Sequence, residues 1–261
     1  MAEPVLIAID ARGIATATLN RPEVGNAYNE ALLLALIDGL AGLANNPAVR
    51  ALVVRGAGRH FAAGADINWL AEIAAYPPPR AYDCSYATTL AMARLNEFPK
   101  PTFAVIQGAC FGGGFGIACC VDVALATPAA LFGITEVRVG VAATPISTHM
   151  VNAIGLRHTR RYALTGERFG PQEALRIGLV HEVVPAEAME SRLAAILDET
   201  LKSSPAAVAL TKRSFLSANG LTLDERQMQM LSHEGWTIRA TAEAQEGLAA
   251  FRAKRAPAWT R

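Results

Sequence analysis

The stretch QGACFGGGFGIACCVD, residues 107–122, constrains the fold more than any other part of the chain. A short apolar run at 102–107 follows Pro99-Lys100-Pro101 and reads as a buried strand; it runs into three consecutive glycines, Gly112, Gly113 and Gly114, and then into an apolar helix. A strand that enters a buried helix through so short a bend belongs to an α/β arrangement. Glycine permits backbone angles and close approaches that a side chain would block. Bare amides at a helix N-terminus favour negative charge, so the bend suits a polarised ligand as well as a tight packing turn. The GxGxxG pattern of a dinucleotide site is absent, and no Gly-Lys-Ser/Thr of a phosphate-binding loop follows.

Around this segment the chain cycles strand, strand, helix. Val5–Ile9 and residues 14–20 flank Asp10-Ala-Arg-Gly13 as a hairpin, and Asn29 precedes Leu32, Leu33, Leu36, Leu40 and Leu43 at helical spacing, closed by Asn45-Asn46-Pro47. Residues 50–55 are a buried-strand pattern, helices are expected either side of the Pro77-Pro78-Pro79 break, and strands return at 121–126 and near 131–132. After about Pro145 strands nearly vanish, apart from 180–184, and helical patterns cover 186–201, 205–217, 223–239 and 242–254. The expected organisation is an α/β core over residues 1–200 followed by a helical region over 201–261.

A chain of 261 residues, 52% hydrophobic and 18% charged, has ample material for one large core, which excludes disorder. Its net charge of +1, with scattered basic residues, gives no electrostatic footprint for nucleic acid or an anionic membrane, so a small-molecule substrate is expected. Cys84, Cys110, Cys119 and Cys120 lack metal-ligand spacing and read as buried free thiols of a reducing compartment. The N-terminal residues do not follow the pattern of a secretory signal, and residues 111–134 contain Asp122 and Pro128, so a cytoplasmic protein without a spanning helix is expected.

A second glycine-bearing loop, FAAGADI at 61–67, also follows a strand pattern and leads into a helix. Two such loops can each offer one amide to one oxygen, as an oxyanion hole requires when a thioester carbonyl gains charge on forming an enolate. No GxSxG elbow is present, and the histidines show no triad context, which argues against serine-hydrolase chemistry.

Six segments occur in the order found in one known family: NRPEVGNAYN (20–29), FAAGADI, QGACFGGG with Asp122, FGITEVRVG (132–140), LTGERFGPQEALRIGLVHEVV (164–184) and GLAAFRAKRAPAW (247–259). Together they cover nearly the whole chain, which resembles the crotonase (enoyl-CoA hydratase/isomerase) superfamily. The resemblance implies a crotonase spiral of ββα units, C-terminal helices that pack in a homotrimer or homohexamer, an acyl-CoA thioester as substrate, and no metal or other cofactor. It also implies an oxyanion hole from the amides of Ala65 and Gly113, bordered by Ala63 and Gly112. Family hydratases set two glutamates about the double bond. The second falls on Glu136, whereas the first falls on Gly116, which has no side chain. The basic ending places Phe251 and Lys254 where a neighbouring subunit's CoA binds, and Asp66 and Ile67 are expected to border the adenine pocket.

The volume left by Gly116 suggests room for a water or for a substrate's own carboxylate. Segments 136–147 and 153–162 are similar to glutaconyl-type hydratases, acting on 3-methylglutaconyl-CoA or isohexenylglutaconyl-CoA, with Arg138, Ser147 or His149 as partners of the second carboxylate and Pro77–Pro79 shaping the acyl end. Hydration of a 2-enoyl-CoA by Glu136 alone is the leading expectation. Double-bond isomerisation with the same single glutamate is the alternative, and a non-catalytic CoA- or RNA-binding role is a third, which the near-neutral charge disfavours.

Overall fold

The structure is a computed structural model that describes residues 3–218, 237 and 241–260, leaving out the side chains of residues 251 and 252. The expected helix at 223–239 lies outside the described residues, Thr237 excepted. Two compact units are formed, one from residues up to 98 together with 102–190, the other from 99–101 together with 191 onward.

The first unit opens with the hairpin of β1 (Val5–Ile9) and β2 (Ile14–Leu19), paired antiparallel with Val5 opposite Leu19. Asp10 closes the turn, its Oδ1 accepting from the amides of Arg12 at 2.8 Å and Ile14 at 2.9 Å. Strand β2 then runs parallel to β3 (Ala51–Gly56), and β3 to β4 (Thr102–Ile106). After β4 the chain alternates between two sheets. β5 (Ala109–Phe111), β7 (Leu131–Gly133) and β8 (Arg168–Phe169) build a small sheet in the order β5-β7-β8, while β6 (Val123–Ala126) and β9 (Glu182–Val183) extend the large one to β1-β2-β3-β4-β6-β9. The turn β4-β5 ends in a helix, as does β6-β7, which gives the crotonase spiral that the resemblance implies.

The helices fill the gaps by their apolar faces. In α1 (Glu30–Asn45) the Asn29 side chain accepts from Leu32 N at 3.1 Å, and all five leucines of the expected stripe are buried. α2 (Ile67–Ala74) is capped by Asp66, and α3 (Pro78–Asn96) starts directly in the proline run, whose fixed φ suits a first helical turn. The Pro77–Pro79 break is thus a helix start, with only Pro77 left as its cap. α4 (Gly113–Cys120) is almost wholly buried, which is why its sequence carries no polar face. Asp122 pins its far end, accepting from Thr102 N at 2.8 Å and Thr102 Oγ1 at 2.9 Å. α5 (Ser147–Thr165), broken at Gly155, and α6 (Pro171–Arg176) follow.

The second unit takes in most of α7 (Met189–Leu201), with α8 (Pro205–Ala218) and α9 (Ala242–Arg252). The sequence-based boundary at 200 falls near the end of α7. Within this unit Glu243 receives Ala206 N at 3.0 Å and the Ser204 hydroxyl, and Trp259 Nε1 donates to Lys202 O at 2.9 Å. Among the described residues no helix is long and apolar enough to cross a membrane.

Candidate active site

The site grows from three chain segments that backbone hydrogen bonds tie together. Ala62 N donates to Ala109 O at 3.0 Å and Phe111 N to Ala62 O at 2.9 Å, which lays the 61–67 loop beside β5. Tyr28 N donates to Gly64 O at 2.8 Å, and Asp66 N to Tyr28 O at 2.9 Å, which fixes the loop's other edge. Gly112 N donates to Gly133 O at 3.0 Å and so brings in the segment that ends in Glu136. Behind these ties sits Asn26, fully buried, accepting from Arg21 N at 2.9 Å and donating to Ala57 O at 2.8 Å and His60 O at 2.7 Å.

Because Gly64 O and Asp66 N are both engaged by Tyr28, the amide between them, that of Ala65, faces the opposite side, as alternate groups of an extended chain do. Neither the Ala65 amide nor the Gly113 amide, the first of α4, donates to any hydrogen bond among the described residues. Gly112 turns the chain between them with φ 51° and ψ −119°, a conformation that a side chain would strain. A Cβ at Gly112 would lie 3.0 Å from Glu136 Oε1 and 3.4 Å from Gly64 Cα, so both loops and the carboxylate meet there. A Cβ at Gly113 would lie 2.3 Å from Tyr28 Cε1; the glycine makes room for the tyrosine ring.

These residues line a cavity of about 430 Å³. Ala63, Gly64, Ala65, Gly112, Gly113 and Glu136 form one side, Trp69 and Leu70 of α2 with Ser85 and Thr88 of α3 another, and Val139, Thr144 and Ile146 a third. Glu136 opens a single 3-10 turn, Glu136–Val139, after β7. Its Oε2 is buried without a hydrogen-bond partner, and burial raises the carboxyl above its ordinary pKa, against the lowering effect of bonds from its own and the Thr135 amide. Burial, and next the charge of Glu136, push the Tyr28 phenol up, so it stays protonated. The Trp69 indole N–H is also buried and unpartnered, with its ring edge-on to Tyr28 at 5.9 Å between centroids. Two idle amides and a proton-binding carboxyl in one cavity are equipped to stabilise a developing oxyanion and to move a proton beside it.

The fold recurs in known proteins. The family model described as enoyl-CoA hydratase/isomerase matches residues 10–261. The chain belongs to the enoyl-CoA hydratase/isomerase family. It is 31% identical to the 2,3-dehydroadipyl-CoA hydratase of Escherichia coli over 246 residues, 92% of each protein. Pseudomonas aeruginosa AtuE superposes with a TM-score of 0.95 at 36% identity, covering 99% of this chain and 100% of that one. An enoyl-CoA hydratase from Shewanella pealeana does so with a TM-score of 0.94 at 32% identity, covering 98% and 96%.

Of the residues that the sequence pointed to in this enoyl-CoA hydratase/isomerase chain, Ala63, Ala65, Ile67, Gly112, Gly113 and Glu136 are brought together around the cavity. Asp66 is not part of the lining: it accepts from Asn68 N at 3.0 Å as the cap of α2 and pairs with Arg21 at 2.9 Å. Gly116 is the clearest correction. It leaves no open volume, because Ile146 occupies it; a Cβ at Gly116 would be 2.5 Å from Ile146 Cγ2 and 3.3 Å from Met92 Sδ. Gly116 does not reach the cavity surface. Arg138, Ser147 and His149 also stay out of the lining: Arg138 packs on Gly166, Ser147 donates to Thr144 O at 2.9 Å, and His149 feels the charge of Glu97. Pro77–Pro79 does not line it; the next turns of α3 do, through Ala81, Cys84, Ser85 and Thr88. Lys254 is exposed in the second unit at a left-handed turn (φ 53°), while the side chain of Phe251 lies outside the described residues. None of the four cysteines is in a disulfide.

Sequence reasoning missed Tyr28, Trp69, Thr88 and Ile146. Tyr28 sits inside the quoted NRPEVGNAYN segment, where an aromatic beside a helix cap was a usable signal. Nothing local marks Ile146.

Proposed function

We propose that the protein adds water reversibly across the double bond of a 2-enoyl-CoA, with Glu136 as the one carboxylate that moves the proton. The observation that carries this reading is the unpartnered Glu136 Oε2 in a cavity that the idle amides of Ala65 and Gly113 also line. Glu136, as carboxylate, takes a proton from water while the water oxygen bonds to the β-carbon. The π electrons move onto the thioester oxygen, which the two amides hold as an enolate. The enolate collapses, the α-carbon takes the proton back from Glu136, and one water has been added with the carboxylate regenerated. CoA is part of the substrate, and no metal or redox cofactor enters these steps.

The acyl group in this reading is a branched glutaconyl type, such as 3-methylglutaconyl-CoA or isohexenylglutaconyl-CoA. What supports it is a roomy cavity with polar groups on Ser85 and Trp69 to receive a second carboxylate, and a relative named for the thioester of another dicarboxylic acid. Among the described residues no lysine, arginine or histidine lines the cavity, so the Ser85 hydroxyl and the Trp69 indole N–H would receive that carboxylate. A homotrimer or homohexamer, with Lys254 and Phe251 reaching CoA on a neighbouring subunit, belongs to the same proposal, as does a cytoplasmic location.

Double-bond isomerisation is the second reading. It is favoured by Ile146 filling the place of a second carboxylate, because a lone proton carrier suffices to shuttle hydrogen between two carbons. Incubating the protein with the two glutaconyl thioesters and with crotonyl-CoA separates the readings. Loss of enoyl absorbance with a mass gain of one water, fastest on a glutaconyl thioester, is the expected result. Migration of the double bond without mass gain overturns hydration, and a preference for crotonyl-CoA overturns the acyl assignment.

A further inference from the structure

The filled space at Gly116 leaves hydration short of a group. A water attacking the β-carbon needs one acceptor for the proton it loses and a second to aim its lone pair, and Glu136 supplies only the first. The second group is identifiable from its surroundings. Tyr28 is held at its backbone on both sides, by Gly64 O at 2.8 Å and Asp66 N at 2.9 Å, so its ring has a fixed origin. The ring lies against Gly113, with Cζ 2.9 Å from where a Cβ would stand, which puts the hydroxyl-bearing end beside one of the two idle amides. The phenol lines the same cavity as Glu136 and Thr88, and it feels the charge of Glu136. Thr88 Oγ1 donates to Cys84 O at 3.3 Å, one turn back along α3. The Thr88 proton is thus spent on its own helix, and the Tyr28 oxygen keeps lone pairs to accept from something in the cavity.

We infer that Tyr28 is the positioning residue for the attacking water: the water donates one hydrogen to Glu136 and the other to the Tyr28 oxygen, which turns its free lone pair toward the β-carbon. The inference rests on the hydration reading. The proton leaves to Glu136 alone; Tyr28 keeps its own proton and makes no covalent bond. Misdirecting a reactant that is otherwise bound costs about 100-fold in rate.

The discriminating experiment compares the wild-type protein and Tyr28→Phe in two assays. One is hydration of the best enoyl-CoA. The other is exchange of the α-hydrogen of a saturated acyl-CoA with heavy water, which needs the amides and Glu136 but no attacking water. Phenylalanine keeps the ring on Gly113, and a melting curve checks that it does. Tyr28→Phe is expected to lose about 100-fold in hydration kcat with KM and α-exchange near wild type. Unchanged hydration by Tyr28→Phe overturns the inference and leaves the hydration reading standing. Equal loss of hydration and exchange also overturns it, since that marks disturbance of Gly113 or Glu136. Wild-type protein that hydrates no enoyl-CoA sinks the reading and the inference together.

Discussion

Glu136 is a carboxylic acid held where its ionised form is poorly solvated, with one oxygen buried and no partner for it. The folded protein therefore binds this proton more tightly than the unfolded chain does. Its stabilising contribution is complete below the ordinary carboxylate range and is lost as pH rises through the raised folded value. At neutral pH the charged group costs stability, as groups kept for chemistry often do. Glu136→Gln should accordingly melt about 2–4 °C higher than wild type at pH 7, and the difference should shrink as the pH falls below the ordinary carboxylate range, read by calorimetry across pH. A variant that melts lower at every pH would mean that Glu136 has a partner which the cavity geometry does not show.

At the scale of elements, the site depends on how α4 meets the 3-10 turn Thr144–Ile146. Ile146 is buried against Gly116, so the helix presents backbone where a second acid would need a side chain. Restoring that acid by Gly116→Glu should fail: the new Cβ falls 2.5 Å from Ile146 Cγ2, and overpacking of this kind costs about 1–3 kcal/mol. Adding Ile146→Ala should recover most of the loss in denaturant titrations, whereas no recovery would place the strain elsewhere. The sequence made the hairpin, the leucine stripe of α1 and the strands of the large sheet legible, since each is a local period of side chains. The small sheet was harder to see, because β5, β7 and β8 hold two or three residues each, too few to display an alternation. Ala65, Gly113 and Glu136 were legible only through the order of motifs. The contacts of Gly116 with Ile146 and of Tyr28 with Thr88 span 30 and 60 positions, and no local pattern reports a contact of that range.

At the scale of the whole molecule, the described lining of the cavity and the described C-terminal residues fall in different compact units. Among the described residues, the lining of the cavity, its idle amides and Glu136 belong to the first unit, with Asn26 holding two of its loops in register. The second unit has its own ties, through Glu243, Trp259 and the Arg255–Glu246 pair at 2.6 Å, and carries the exposed Lys254. A net charge of +1 leaves recognition to this shaped cavity instead of a broad field. The central claim is that one carboxylate takes the proton from water and returns it to carbon. The most direct test follows hydration of the preferred enoyl-CoA by wild type and Glu136→Gln, with binding of the same thioester measured in parallel. The account predicts at least about 100-fold loss of hydration in the variant with thioester binding retained; hydration by Glu136→Gln near the wild-type rate would contradict it.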